Sequence, residues 1–131
     1  MRLLWLFPLL VLACTRPTPE ASTSAAADRP GAAVYERLSN EAFAKVRATY
    51  PDAPLLDVRT PEEYASGHLK DAENLPVNHP DFLKRASGYD KTAPVLVYCQ
   101  KGGRSARACE ALREAGFRQV YELERGYGDW E

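Results

Sequence analysis

Apolar positions along this chain fall into short blocks of two kinds. Leu55-Leu56-Asp57-Val58 and Val95-Leu96-Val97-Tyr98 are nearly continuous, as in strands covered on both faces. Other blocks have helical spacing. Ala42, Phe43 and Val46 share one face of a helix that Ser39 can cap and Pro51 ends. Thr60-Pro61-Glu62-Glu63 offers a cap, a first-turn proline and acids where the helix dipole favours them, and Gly67 stops that helix. Residues 81–86 predict a short third helix, and residues 105–115 a fourth that Gly116 closes. Residues 34–38 predict an edge strand, residues 72–75 a brief one closed by Pro76, and residues 119–123 the last. Strands alternating with helices predict an α/β fold: a small parallel sheet flanked by helices on both faces. In such sheets ligands sit beyond the carboxyl ends of the strands. One strand ends there in Asp57-Val58-Arg59, and the other delivers Cys99.

The first quarter of the chain departs from this pattern. Met1-Arg2 leads into an apolar run over residues 3–13, roughly 11 residues against the ~20 a helix needs to span a bilayer. It fits the apolar region of a secretory signal over residues 1–13. Val11-Leu12-Ala13-Cys14 resembles a bacterial lipobox, in which the cysteine is lipidated and becomes the mature N-terminus. An ordinary signal cut within Ala25-Ala26-Ala27 is the alternative, with Cys14 discarded. Up to residue 33 the chain is Pro, Ser, Thr and Ala with almost no large apolar groups, so it reads as a tether. Residues 14–33 are thus a lipidated cysteine and linker, and residues 34–131 one domain with a single core. The expected location is the bacterial periplasm, at a membrane through the lipid anchor only.

Charge narrows the partners. Residues 34–131 carry 14 Lys and Arg against 16 Asp and Glu, a formal charge of −2. Without a basic run there is no case for nucleic acid. His68, His79, Cys99 and Cys109 are the scattered metal-ligand types, with no paired spacing, so neither a metal nor another cofactor is expected. In an oxidising compartment Cys99 and Cys109 suggest a disulfide by default. The local pattern argues otherwise.

From Gln100 to Ser105 the chain leaves a strand, passes Gly102-Gly103 and enters a helix. Glycines allow consecutive N–H groups to converge on one point, and the helix adds its free N-terminal N–H groups. Lys101 and Arg104 bring full charges. A thiol at the mouth of such a bowl is pushed toward thiolate, and an anion built on its sulfur would be held by the same donors. A small buried hydrophobe is the usual fate of a free cysteine, but this context favours a nucleophile at Cys99. Cys109, mid-helix beside Ala108 and Leu112, reads as a core residue, with a resolving thiol as the alternative.

"LLDVRTPEEYASGHLKDAENLP" followed by "VLVYCQKGGRSARACEALREAGFRQVYELERGYGDWE" resembles a single-domain rhodanese. The resemblance rests on Asp57-x-Arg59, Gly67-His68, the Cys-x-x-Gly-x-Arg-Ser loop and a Gly-x-x-x-Trp ending at Trp130. Lys70-Asp71 stands where many members have Pro-Gly, and Arg125 replaces a frequent glycine. The resemblance implies a rhodanese-like fold and a sulfurtransferase. Cys99 thiolate would take the outer sulfur of thiosulfate or a similar small anionic donor and release sulfite. The Cys99 persulfide would then pass its sulfur to cyanide, a thiol or a protein cysteine. Gln100, Lys101, Gly102, Gly103, Arg104 and Ser105 would form the cradle, with Lys101 and Arg104 attracting the donor. Arg59 would line the pocket mouth or form a structural ion pair; Asp57 and His68 would be supporting residues. A phosphatase or arsenate reductase of this fold needs Cys-x5-Arg, and here Ser105 takes the sixth position with the arginine one residue early. The rival of another class is a tethered, non-catalytic module that binds a partner or senses sulfur species.

Overall fold

The computed structural model describes residues 33–130. The expected signal, Cys14 and most of the tether lie outside the described residues. In order the elements are β1 (Val34–Leu38), α1 (Asn40–Thr49), β2 (Leu55–Asp57), α2 (Pro61–Ser66), β3 (Glu73–Asn74), α3 (Phe82–Ala86), β4 (Pro94–Tyr98), α4 (Gly103–Glu114) and β5 (Gln119–Leu123), followed by a 3₁₀ turn at Tyr127–Asp129.

Local chemistry sets the helix starts. The Ser39 side chain accepts from the Ala42 N–H and caps α1. Thr60 and Glu63 form a reciprocal capping box at α2, with Pro61 in its first turn. Two predicted boundaries move. The expected strand at residues 72–75 pairs only through Glu73 and Asn74. The fourth helix begins at Gly103, two residues before the expected Ser105, so Gly103 belongs to the helix and Gly102 alone makes the turn.

The five strands are all parallel, in the order β1-β5-β4-β2-β3, which puts β1 at an edge as expected. Alternation along each strand sends side chains to two separate cores. Val95, Val97 and Cys99 point to one, with Phe82 and Ala86 of α3 and Ala108, Cys109 and Leu112 of α4. Leu96 and Tyr98 point to the other, with Phe43 of α1, Leu55, Tyr121 and Leu123, bordered by Tyr64 of α2 and by Tyr127 and Trp130 of the C-terminal turn. The sheet is therefore covered on both faces, the fold class the spacing predicts.

Candidate active site

β4 carries Cys99 just past its last residue, at the carboxyl edge of the sheet. The sulfur lies inside the loop that follows, and the residue is buried. The Gly102 N–H donates to Cys99 Sγ at 3.0 Å, and Ser105 Oγ lies 3.4 Å from it on the floor. Gly102 makes this possible with φ of 98°, a value that L side chains rarely adopt. A Cβ there would also sit 2.1 Å from the Glu124 carbonyl oxygen. Burial pushes the Cys99 thiol up, and the backbone N–H groups of Ser105, Lys101 and Gly102 pull it down. The net shift is below the ordinary thiol value. Cys109, in the core on α4, is raised by burial first and by the nearby Glu122 charge next. The two cysteines are free.

The loop is held from behind. The Tyr127 N–H donates to the Cys99 carbonyl at 2.7 Å, and the Gly128 N–H to that of Gln100 at 3.0 Å. Gly126 lies flat against this backbone, where a Cβ would come within 2.5 Å of the Gln100 carbonyl. On the β2 side, Asp57 accepts from Arg59 Nε at 2.9 Å and Nη2 at 2.6 Å, and from Tyr98 Oη at 2.9 Å. Arg59 then donates to Gln100 Oε1 at 2.9 Å and to the Gly67 carbonyl at 2.7 Å. Its guanidinium also lies 4.5 Å from the Tyr127 ring centroid. Arg59 is 2% exposed, so the structure places it as an internal clamp joining β2, the Cys99 loop and the end of α2. Of the two roles expected for Arg59, the structure has the structural ion pair and not the pocket mouth, because its donors are taken by Asp57 and the loop.

Above the sulfur, a pocket of about 390 Å³ is lined by Glu63, Cys99, Gln100, Lys101, Gly103 and Arg104. Lys101 is exposed. Arg104 is bound to Glu63 by two parallel hydrogen bonds, 2.6 and 2.8 Å. This pairing with Arg104 holds the Glu63 carboxyl down at about 2. The expected pair of donor-attracting charges is thus unequal, because Glu63 neutralises Arg104 and leaves Lys101 as the exposed cation of the pocket lining. His68 is exposed, stacked on Tyr64 at 3.8 Å with Nδ1 2.9 Å from the Tyr64 carbonyl oxygen, and is not part of that lining.

This is a buried sulfur beneath convergent N–H groups, facing a small partly cationic pocket. The family model described as Rhodanese-like domain matches residues 35–131. The chain belongs to the rhodanese-like family. Among curated relatives, the rhodanese-like domain is 38% identical over 97 residues to the uncharacterized protein YqhL of Bacillus subtilis, covering 74% of this chain and 73% of that one. It is 37% identical over 98 residues to thiosulfate sulfurtransferase GlpE of Pseudomonas entomophila, covering 73% and 84%. Among solved structures, the rhodanese-like domain of Alr3790 from Anabaena superposes with a TM-score of 0.62 at 30% identity, covering 72% and 71%.

Two residues of the rhodanese-like site escaped sequence reasoning. Glu63 is visible as a cap residue, but nothing in its position says that it spans to Arg104. Glu122, fully buried on β5, accepts from Ser105 Oγ at 2.7 Å and from the Tyr35 hydroxyl, and forms an ion pair with Arg37 Nε at 3.1 Å. In the sequence it is one charge in an otherwise ordinary strand. Its burial follows from the strand order: β5 is an interior strand of a doubly covered sheet and has no solvent-facing side.

Proposed function

We propose that this rhodanese-like domain is a thiosulfate-type sulfurtransferase working through a Cys99 persulfide. The supporting observation is the single sulfur seated against the Gly102 N–H, with its thiol held below the ordinary value. Cys99 thiolate attacks the outer sulfur of thiosulfate; the S–S bond to the sulfonate breaks, and sulfite leaves with the electron pair. The persulfide anion replaces the thiolate, so charge and protons balance. The N–H groups of the cradle hold the new terminal sulfur as they held the old one. Cyanide or a thiolate then attacks that sulfur and returns Cys99 as thiolate. Lys101 draws the dianionic donor to the pocket, whereas Arg104, with Glu63, shapes its wall. Names borne by relatives such as GlpE support thiosulfate as the donor.

The N-terminal reading is part of the proposal: residues 1–13 direct export, Cys14 is lipidated, and residues 14–33 tether the domain formed by residues 34–131 in a bacterial periplasm. Two experiments test the whole. Intact mass of the purified protein is read before and after thiosulfate, then after cyanide. A gain of one sulfur that depends on Cys99, reversed by cyanide with thiocyanate formed, is expected. No adduct and no thiocyanate would sink the catalytic reading in favour of a module that binds a partner. Cys14→Ser should move the protein from the membrane to the soluble fraction, and continued anchoring would refute lipidation.

A further inference from the structure

Beneath the cradle runs a chain of polar groups that the sulfur-transfer steps above do not use. Ser105 has one hydroxyl proton and stands between two acceptors, Glu122 Oε1 at 2.7 Å and Cys99 Sγ at 3.4 Å. Both Ser105 and Glu122 are fully buried, so a second donor from solvent does not reach them. A carboxylate oxygen at 2.7 Å outcompetes a sulfur at 3.4 Å for that proton. The serine then shows Cys99 its lone pairs, which accept from a thiol and give nothing to a thiolate.

We infer that Glu122 is a positioning residue of the Cys99 site: by taking the Ser105 proton it turns the serine oxygen toward the sulfur as an acceptor, and so sets which protonation state the floor of the cradle favours. The N–H groups of the loop favour the sulfur anion, and the serine oxygen favours the thiol. Glu122 decides the balance without touching the sulfur. The inference rests on Cys99 as the reacting atom, but it concerns protonation and needs no particular donor.

The surroundings of Glu122 make its replacement by glutamine unambiguous. From β1, the Tyr35 hydroxyl donates to Oε2, and Arg37 Nε lies 3.1 Å from the same oxygen in an ion pair. In Glu122→Gln the amide oxygen stays with the Tyr35 hydroxyl and the Arg37 cation, so the amide NH₂ faces Ser105. Ser105 must then accept from the amide and give its own proton to Cys99. The other charged and titratable groups in reach of the pair are Cys109 on α4, close enough to feel both Glu122 and Cys99, and Arg104, whose charge bears on Cys99 but is paired with Glu63 of α2. These stay in place in the variant.

The test is the pH dependence of Cys99 alkylation by iodoacetamide in the full chain, read by mass spectrometry of the Cys99 peptide. No sulfur donor is present, so failure here is separable from failure of the sulfurtransferase reading. Glu122→Gln should lower the midpoint by about one pH unit, the effect of a hydrogen bond gained by the charged form. In a Ser105→Ala background the same substitution should shift it by less than half as much. An unchanged midpoint in Glu122→Gln, or a shift equally large without the serine, would overturn the inference. Ser105→Ala alone is the second variant, decisive even where Glu122→Gln does not fold. Removing an acceptor should leave the midpoint unchanged or lower it, whereas a rise would show that the serine donates to the sulfur and that Glu122 does not hold its proton.

Discussion

Gly102→Ala tests how much of the reactivity of Cys99 resides in one backbone N–H. The φ of 98° costs a side chain about 1–2 kcal/mol. The new Cβ would lie 2.1 Å from the Glu124 carbonyl oxygen. That oxygen belongs to a backbone pinned by the Glu124 N–H on the Leu38 carbonyl at 3.0 Å, so residue 102 must move instead. Its N–H, 3.0 Å from the sulfur, moves with it. A hydrogen bond to a charged group contributes about 2 kcal/mol, which raises the thiol by ~1.5 pH units when lost. The assays are the pH midpoint of Cys99 alkylation and urea unfolding. We expect the midpoint to rise by about that amount, with a stability loss of at least ~2 kcal/mol. Gly103→Ala is the internal comparison: a Cβ there meets nothing within 4 Å, so both readouts should stay near wild type. A Gly102→Ala protein with unchanged midpoint would refute the claim that this N–H holds the sulfur.

Other substitutions separate the roles within the site. Cys99→Ser should abolish sulfur transfer, while Cys109→Ala, a core thiol raised by burial, should keep most of it and cost about 1 kcal/mol in urea; the reverse pattern would reassign the nucleophile. Lys101→Ala should raise KM for thiosulfate several-fold with kcat little changed, and an unmoved KM would show that the donor does not meet it. Arg104→Ala should cost only about 0.5–1 kcal/mol, because its pair with Glu63 is part-exposed. The Glu63 carboxyl is depressed in the folded protein, so its contribution is full above its unfolded value and lost as pH falls toward about 2. Wild-type stability should therefore fall toward that of Arg104→Ala in this acid range, and a constant difference would exclude the pair as its source. Arg59→Met leaves Asp57 buried without its cation and should lose ~3–5 kcal/mol in urea unfolding. A wild-type unfolding midpoint would mean that the clamp is not structural.

The parallel sheet and the turn after Cys99 could be read from the chain because both depend on local signals. Continuous apolar blocks mark doubly covered strands, capping residues mark helix starts, and a glycine after a strand marks the turn. What was not legible depends on register between distant segments. Arg59 could be read as half of a structural ion pair, but not as the residue that ties the Gly67 carbonyl to Gln100. Arg104 reads as a free cation until α2 carries Glu63 to within 2.6 Å. Glu122 is one charge in an ordinary strand until β1 and α4 enclose it from two sides. Gln100 for Arg59, Glu63 for Arg104, and Arg37 and Ser105 for Glu122 are all far away in sequence, and binary patterning is silent about such pairs.

The strand order has a consequence for how the domain comes to exist. Among the described residues β1 is the first strand and pairs only with β5, the last, which lies between β1 and β4. Until β5 is in place the opening segment has nowhere to dock. The backbone of Cys99 and Gln100 likewise waits for the N–H groups of Tyr127 and Gly128. Such long-range closure slows folding, because the entropy of bringing the ends together is spent before any contact rewards it. A growing chain therefore stays open until β5 and the turn at Tyr127–Asp129 have been made, and its reactive sulfur is not seated until then. For a protein that crosses a membrane as an extended thread, as proposed for this one, late assembly keeps the chain fit for passage and its nucleophile unformed on the wrong side.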